Sequence, residues 1–137
     1  MTPQFSARLR HLRLSGMVEA LPARLAQAEA APLSHLEFLE LLVEDELSRR
    51  ADRLYARRLK QAGITTVKTL AEFDWTFNPK IPKARLVDLA TARFLPAHTG
   101  ILLIGPPGVG KSHLATAIAV GAIRAGRRVL TRSTFDL

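Results

Sequence analysis

The stretch ILLIGPPGVGKSHLA, residues 101–115, constrains this chain more than any other. From Gly105 to Ser112 it matches the pattern G-x-x-x-x-G-K-[ST] in full. Four apolar residues precede the match and read as a strand over 101–104, covered on both faces as in a parallel sheet. A helical pattern, KSHLATAIAVGAIRAG, follows at once, with Leu114, Ile118 and Ile123 on its inner face and Gly126 to stop it. Each residue type has a chemical reason. Gly108 and Gly110 let successive N–H groups turn inward around phosphate oxygens, in a conformation that side chains would obstruct. Pro106 and Pro107 stiffen the loop, and the helix beginning near Gly110 adds the positive end of its dipole. Lys111 reaches the outer phosphates as a mobile charge, and the Ser112 hydroxyl is placed to ligate Mg²⁺. The expected cofactors are therefore ATP and Mg²⁺. They are held by Gly105, Pro106, Pro107, Gly108, Val109, Gly110, Lys111, Ser112 and the adjacent His113, with Ser112 as the metal ligand.

Downstream, RRVLTRS reads as a second strand over 128–132, and STFDL as the start of a further helix with Asp136 in its capping context. Upstream, the spacing of Phe5, Leu9 and Leu12, then of Met17, Leu21 and Leu25, predicts helix over 4–30. Gly16 and Pro22 interrupt that run, which predicts two short helices or a kink. Ser34 with Glu37 forms a capping box. It opens the clearest helix in the sequence, which ends at Gly63 in a position that suits a left-handed cap. The apolar stripe of this helix runs through Leu36, Leu39, Val43, Leu47, Leu54 and Leu59, broadened by Phe38, Leu41 and Leu42.

Charge along that helix is polarised. Glu37, Glu40, Glu44, Asp45 and Glu46 come first, then Arg49, Arg50, Arg53, Arg57, Arg58 and Lys60. The order matches the helix dipole and allows pairs such as Glu46 with Arg50, so a solvated, self-stabilised face explains the pattern. The sharper reading makes these six basic residues contacts to DNA. Residues 64–83 are irregular. Phe73, Trp75 and Phe77 alternate there with polar residues, as in a short strand or an extended segment. Such aromatics can stack on bases, but a linker pinned by its apolar side chains is the favoured reading. Helical spacing returns over 84–95, through Leu86, Leu89, Ala90 and Phe94.

Lys and Arg outnumber Asp and Glu by 20 to 12, a formal charge of +8. Residues 1–63 carry ten basic and eight acidic side chains, and 64–137 carry ten and four. This balance favours a polyanionic partner, nucleic acid first. With no cysteine there is no disulfide framework and no Cys-type zinc site, which fits a reducing cytoplasm. The opening residues lack the apolar core of a signal peptide, and no run approaches the ~20 apolar residues that span a bilayer. No membrane partner is expected.

The order of parts resembles the IstB-like transposition helper ATPases, AAA+ proteins related to the DnaC helicase loaders. The resemblance rests on LRLSGMVEAL, on FLELLVEDELSRRADRLYARRLKQAG, on TLAEFDW and on ILLIGPPGVGKSHLATAIAVGAIRAGRRVL. It implies an α/β protein, with an N-terminal helical domain followed by the first β-α-β part of a P-loop (AAA+) parallel-sheet domain. The expected organisation is a helical domain at 1–66, a linker and helix at 67–98, and a partial P-loop NTPase domain at 99–137. It also implies an ATP-binding helper that self-associates in its full-length form, assembles on DNA and directs a partner transposase. Family members continue into acidic, sensor and inter-subunit arginine motifs that this chain does not contain. It therefore reads as truncated, and no residue is assigned a catalytic role. Two alternatives stay open: a DnaC-like replication helicase loader, distinguished by its N-terminal region, and a non-enzymatic DNA- or protein-binding fragment in which residues 1–95 carry the function.

Overall fold

The computed structural model describes residues 2–134. They hold five helices: α1 (Pro3–His11), α2 (Ser15–Ala30), α3 (His35–Ala62), α4 (Lys83–Ala90) and α5 (Lys111–Arg124). The chain divides into two compact units, Met1–Leu54 and Tyr55–Leu137.

In the first unit, α1 opens with a proline, whose fixed φ suits a first turn and whose missing N–H costs nothing there. It ends at a left-handed Arg13 (φ 60), closed by Arg13 N–H to Arg10 O and Leu14 N–H to Leu9 O, each 2.9 Å. The expected break between two helices thus falls at residues 12–14, ahead of Gly16. Pro22 sits inside α2 without ending it. The capping box forms as read: Ser34 N–H donates to Glu37 Oε2 at 2.8 Å, and Glu37 N–H to Ser34 Oγ at 3.2 Å.

What holds this unit together is partly polar. Glu46, only 4% exposed, points its carboxylate at the start of α2. Oε2 accepts from Gly16 N–H (2.7 Å) and Met17 N–H (3.2 Å), and Oε1 from Arg50 Nε (2.7 Å). Leu14, the N-cap of α2, makes no side-chain cap bond, so a residue of α3 supplies the cap instead. Gly16 is required for this approach, because a Cβ there would lie 2.8 Å from Glu46 Cα. Burial pushes the Glu46 carboxyl up. Arg50 and the two backbone N–H groups outweigh that and hold it below the usual carboxylate range. Val18 and Leu21 of α2 and Leu42 of α3 are the buried hydrophobic side chains of this unit among the described residues. Leu36, Leu39, Val43 and Leu47 of the α3 stripe are 47–66% exposed.

In the second unit, Leu86 of α4 and Leu114 and Ile118 of α5 are buried together. Leu70, Phe73, Trp75, Ile81, Ile101 and Leu103 are among the apolar residues packed around them. The helices come close at Gly121, where a Cβ would collide with the carbonyl oxygen of Ala90. α4 stops short of the helical pattern read over 84–95, because Ala92 turns left-handed (φ 61) and the chain continues in turns to residue 98. Both α3 and α5 end in a Schellman motif: Gly63 (φ 76) with Ile64 N–H to Leu59 O, and Gly126 (φ 84) with Arg127 N–H to Ala122 O.

The α/β architecture is overturned. Among the described residues every regular element is helical, and neither 101–104 nor 128–132 is a strand. The apolar run has the composition of a buried strand, but a strand exists through the ladder it makes with a neighbour. Ile101 and Leu103 lie against the helices. Leu102 and Ile104 are 81% and 84% exposed, so only one face of the segment is covered. Residues 128–132 are tied down differently, through Thr131, whose N–H and Oγ1 both donate to Ala62 O. The further helix read after Ser133, with Asp136, lies outside the described residues beyond Thr134.

Candidate phosphate-binding site

Residues 105–110 form an irregular turn that leads straight into α5. Two of its glycines occupy left-handed backbone, Gly108 at φ 81 and Gly110 at φ 90. Gly110 is the N-cap of α5, and no side chain among the described residues caps that end. A glycine cap offers no side-chain oxygen, and the first turn carries no acidic residue. The N–H groups of Lys111, Ser112 and His113 are thus left without an intrahelical partner at the positive end of the helix dipole. Lys111 folds over the turn, its Nζ donating to Pro106 O at 2.6 Å. Ser112 is exposed, while Thr116 Oγ1 takes its carbonyl at 2.8 Å. A Cβ on Gly105 would meet Val109 Cγ2 at 3.5 Å, an ordinary contact, so the fold around this position does not itself demand glycine.

Next to this turn lies a groove of about 470 Å³, walled by Ile81, Leu86 and Leu103 and reaching Gly105, Val109 and Lys111. Its lining is mostly apolar, and Arg85 and Lys111 add two cations. That is the usual composition of a small-molecule site, in which few polar groups fix orientation.

The structure sets His113 apart from the turn. Its Nε2–H donates to the carbonyl of Thr69 at 2.9 Å, and its ring meets Phe73 edge-on at 5.2 Å. Phe73 in turn meets Trp75 at 4.9 Å and presses on Gly110, where a Cβ would lie 2.6 Å from the ring edge. Trp75 Nε1–H donates to Leu70 O at 3.2 Å, with Lys83 Nζ 5.4 Å from its ring centre. Thr69 is itself fixed by Glu72, which accepts from its N–H (2.8 Å) and Oγ1 (2.9 Å). Those two bonds hold the Glu72 carboxyl below its ordinary range. Phe73 and Trp75 are thus packed inward, and Phe77 is 68% exposed.

The six basic residues of α3 divide between the units. In the first, Arg49 pairs with Glu19 (2.8 Å), Arg50 with Glu46, and Arg53 donates to Ser15 Oγ (2.7 Å). In the second, Arg57 and Lys60 are exposed, while Arg58 is half-buried. Among the described residues no cluster of His, Cys, Asp or Glu could hold a metal ion. No helix among them is long and apolar enough to cross a membrane.

Sequence reasoning missed the contact of Phe73 with Gly110. Thirty-seven positions separate the two, and only the alternation of aromatics with polar residues hinted that the linker is held. The expected pair of Glu46 with Arg50 forms, but the burial of Glu46 and its bonds to Gly16 and Met17 were missed, because it sits in an acidic run that looks uniformly solvated.

Comparison with known proteins follows the same order of parts. Residues 7–137 match the family described as IstB-like ATP binding protein. A relative from Mycobacterium tuberculosis, named as an ATP-binding protein in an insertion sequence, is 47% identical over 124 residues, covering 90% of this chain and 49% of its own. The ATP-binding protein named for insertion sequence IS21 of Pseudomonas aeruginosa is 44% identical over 124 residues, with 90% and 46% covered. A third, from Sinorhizobium fredii, is 38% identical over 130 residues, with 94% and 44% covered. The chain thus spans about half the length of the curated relatives it matches. With nearly all of its residues inside the family match, the chain belongs to the IstB-like ATP binding protein family.

Proposed function

We propose that the chain binds the phosphates of ATP in the turn from Gly105 to Ser112. The observation that carries this is Gly110 at φ 90, an N-cap without a side chain that opens α5 beneath Lys111. Three unpartnered N–H groups, a helix dipole and a mobile ammonium converge there, which is the chemistry a polyphosphate needs. Names of the relatives, ATP-binding proteins of insertion sequences, agree with it. The residues fit Mg²⁺ as well: Ser112 Oγ is exposed at the first turn of α5, and in this reading it holds the ion against the phosphates, whose charge the metal neutralises.

In the wider reading, the P-loop belongs to an AAA+ helper of transposition that works in the cytoplasm, self-associates, assembles on DNA and directs the transposase of the same element. The unequal charge supports DNA as partner, with residues 64–137 carrying the larger basic excess. Within the second unit, Arg57 and Lys60 are the exposed members of the basic run.

The test is equilibrium binding of ATP, inorganic tripolyphosphate and adenosine to the chain, with Mg²⁺ and with EDTA. Recognition through phosphates requires ATP and tripolyphosphate to compete for one site and adenosine to bind far more weakly. Adenosine binding as well as ATP would end this reading.

A further inference from the structure

We propose that Phe73 and His113 are positioning residues for the phosphate loop: the segment 69–75 acts as a strut that fixes the start of α5. The proposal rests on the nucleotide reading above. The loop has little else to lean on. A Cβ on Gly108 would meet nothing within 4 Å, and the segment leading in has Leu102 and Ile104 in solvent. From its open side the loop is spanned by Lys111, which bonds Pro106 O, but that ammonium is the group meant for phosphate.

Support comes from behind. Phe73 touches the left-handed Gly110 so closely that an added Cβ would lie 2.6 Å from its ring. His113, one residue past the proposed metal ligand, is tied to Thr69 O at 2.9 Å and stacks edge-on against the same ring. The strut is itself rigid: Glu72 clasps Thr69 through two bonds, Trp75 donates to Leu70 O, and Phe73 and Trp75 pack on the Leu86–Leu114–Ile118 cluster. The Phe73 ring on Gly110 and the His113 bond to Thr69 O, both from one segment, therefore set the direction of the N–H groups at 111–113. Small misplacements of such donors are costly for an anion, since binding depends on prior alignment.

Trp75 is the only tryptophan in the chain and stands 4.9 Å from Phe73, so its emission reports on the strut. The experiment titrates MgATP into the whole chain by calorimetry while following Trp75 emission, with Phe73→Leu, His113→Ala, His113→Gln and Lys111→Ala alongside. Phe73→Leu keeps an apolar side chain against the cluster and removes the ring from Gly110. The expected result is roughly tenfold weaker binding for Phe73→Leu and His113→Ala, with thermal midpoints close to the parent. His113→Gln, which keeps a donor for Thr69 O, recovers most of the affinity. Trp75 emission responds to MgATP in the parent and no longer does so in Phe73→Leu. If Phe73→Leu does not fold, the His113 pair decides alone. MgATP binding that needs Lys111 but stays within about twofold in both His113 variants and in Phe73→Leu overturns the strut and leaves the nucleotide reading standing. If the parent binds no MgATP and Lys111→Ala matches it, the nucleotide reading fails, and the strut with it.

Discussion

Removing the carboxylate of Glu46 tests the polar join in the first unit. Glu46→Ala strips the acceptor from two N–H groups at the start of α2, Gly16 in a buried setting and Met17 in a partly buried one. A buried donor left unsatisfied costs about 1–3 kcal/mol. Arg50, also released, is exposed enough to be rehydrated, with 56% of its side chain in solvent, so its loss adds little. The two amides together put the cost at about 2–6 kcal/mol, in the lower half of that range because Met17 is only partly buried. Glu46→Gln keeps one acceptor for the amides but turns a donor toward Arg50, for roughly 1.5–3 kcal/mol. The sign with pH follows from the shift. The folded carboxyl titrates below its unfolded value, so its contribution is complete above the ordinary glutamate range. It is lost as pH falls through the lower, folded value. Urea unfolding followed by far-UV ellipticity at pH 7 and again near pH 3 measures both effects. Trp75 emission tracks the second unit separately. Parent and Glu46→Gln should differ at pH 7 and converge at low pH, which cancels the other carboxylates held low, such as Asp45 and Glu37. A Glu46→Ala midpoint equal to the parent at pH 7, or a difference that does not shrink with acid, would refute the reasoning.

Three further outcomes follow. Gly121→Ala forces a methyl into the Ala90 carbonyl and must separate α4 from α5; overpacking of this kind costs about 1–3 kcal/mol, read as a lower midpoint for the Trp75 transition. Pro22→Ala returns a hydrogen bond to the interior of α2 and should stabilise the first unit by roughly 1–3 kcal/mol, given that an interior proline costs about 3; an unchanged midpoint would mean the helix has already relaxed around it. Double-stranded DNA binding, measured by fluorescence anisotropy across a salt series, should lose about 0.9 of logarithmic slope for each of Arg57→Gln and Lys60→Gln if both meet phosphates; identical slopes would remove them from the interface.

What could be read from the sequence was local. The Ser34–Glu37 box, the left-handed stops at Gly63 and Gly126, and the positive φ at Gly108 and Gly110 are each set by a few adjacent residues. The family, too, was legible in consecutive motifs. Contacts across long intervals were not. Glu46 meets Gly16 thirty positions away, and nothing in an acidic run marks the one member that is buried. Phe73 meets Gly110 through a shape that no periodicity encodes. The failure at 101–104 has the same origin: an apolar run bounded by β-branched Ile101 and Ile104 favours extended backbone, but the ladder that would make a strand is a property of the neighbours. The stripe of α3 misled in a related way, since Leu36, Leu39, Val43 and Leu47 have core spacing and lie in solvent, while Leu42 and Glu46 are buried and Glu46 meets the start of α2.

The central claim is that the turn at 105–112 grips a polyphosphate through Lys111 and the start of α5. Calorimetric titration of MgATP into the parent chain and into Lys111→Ala tests it most directly. The account predicts saturable binding by the parent that disappears when the ammonium is removed. Heats that are the same in both proteins, whether from binding elsewhere or from none, would contradict it.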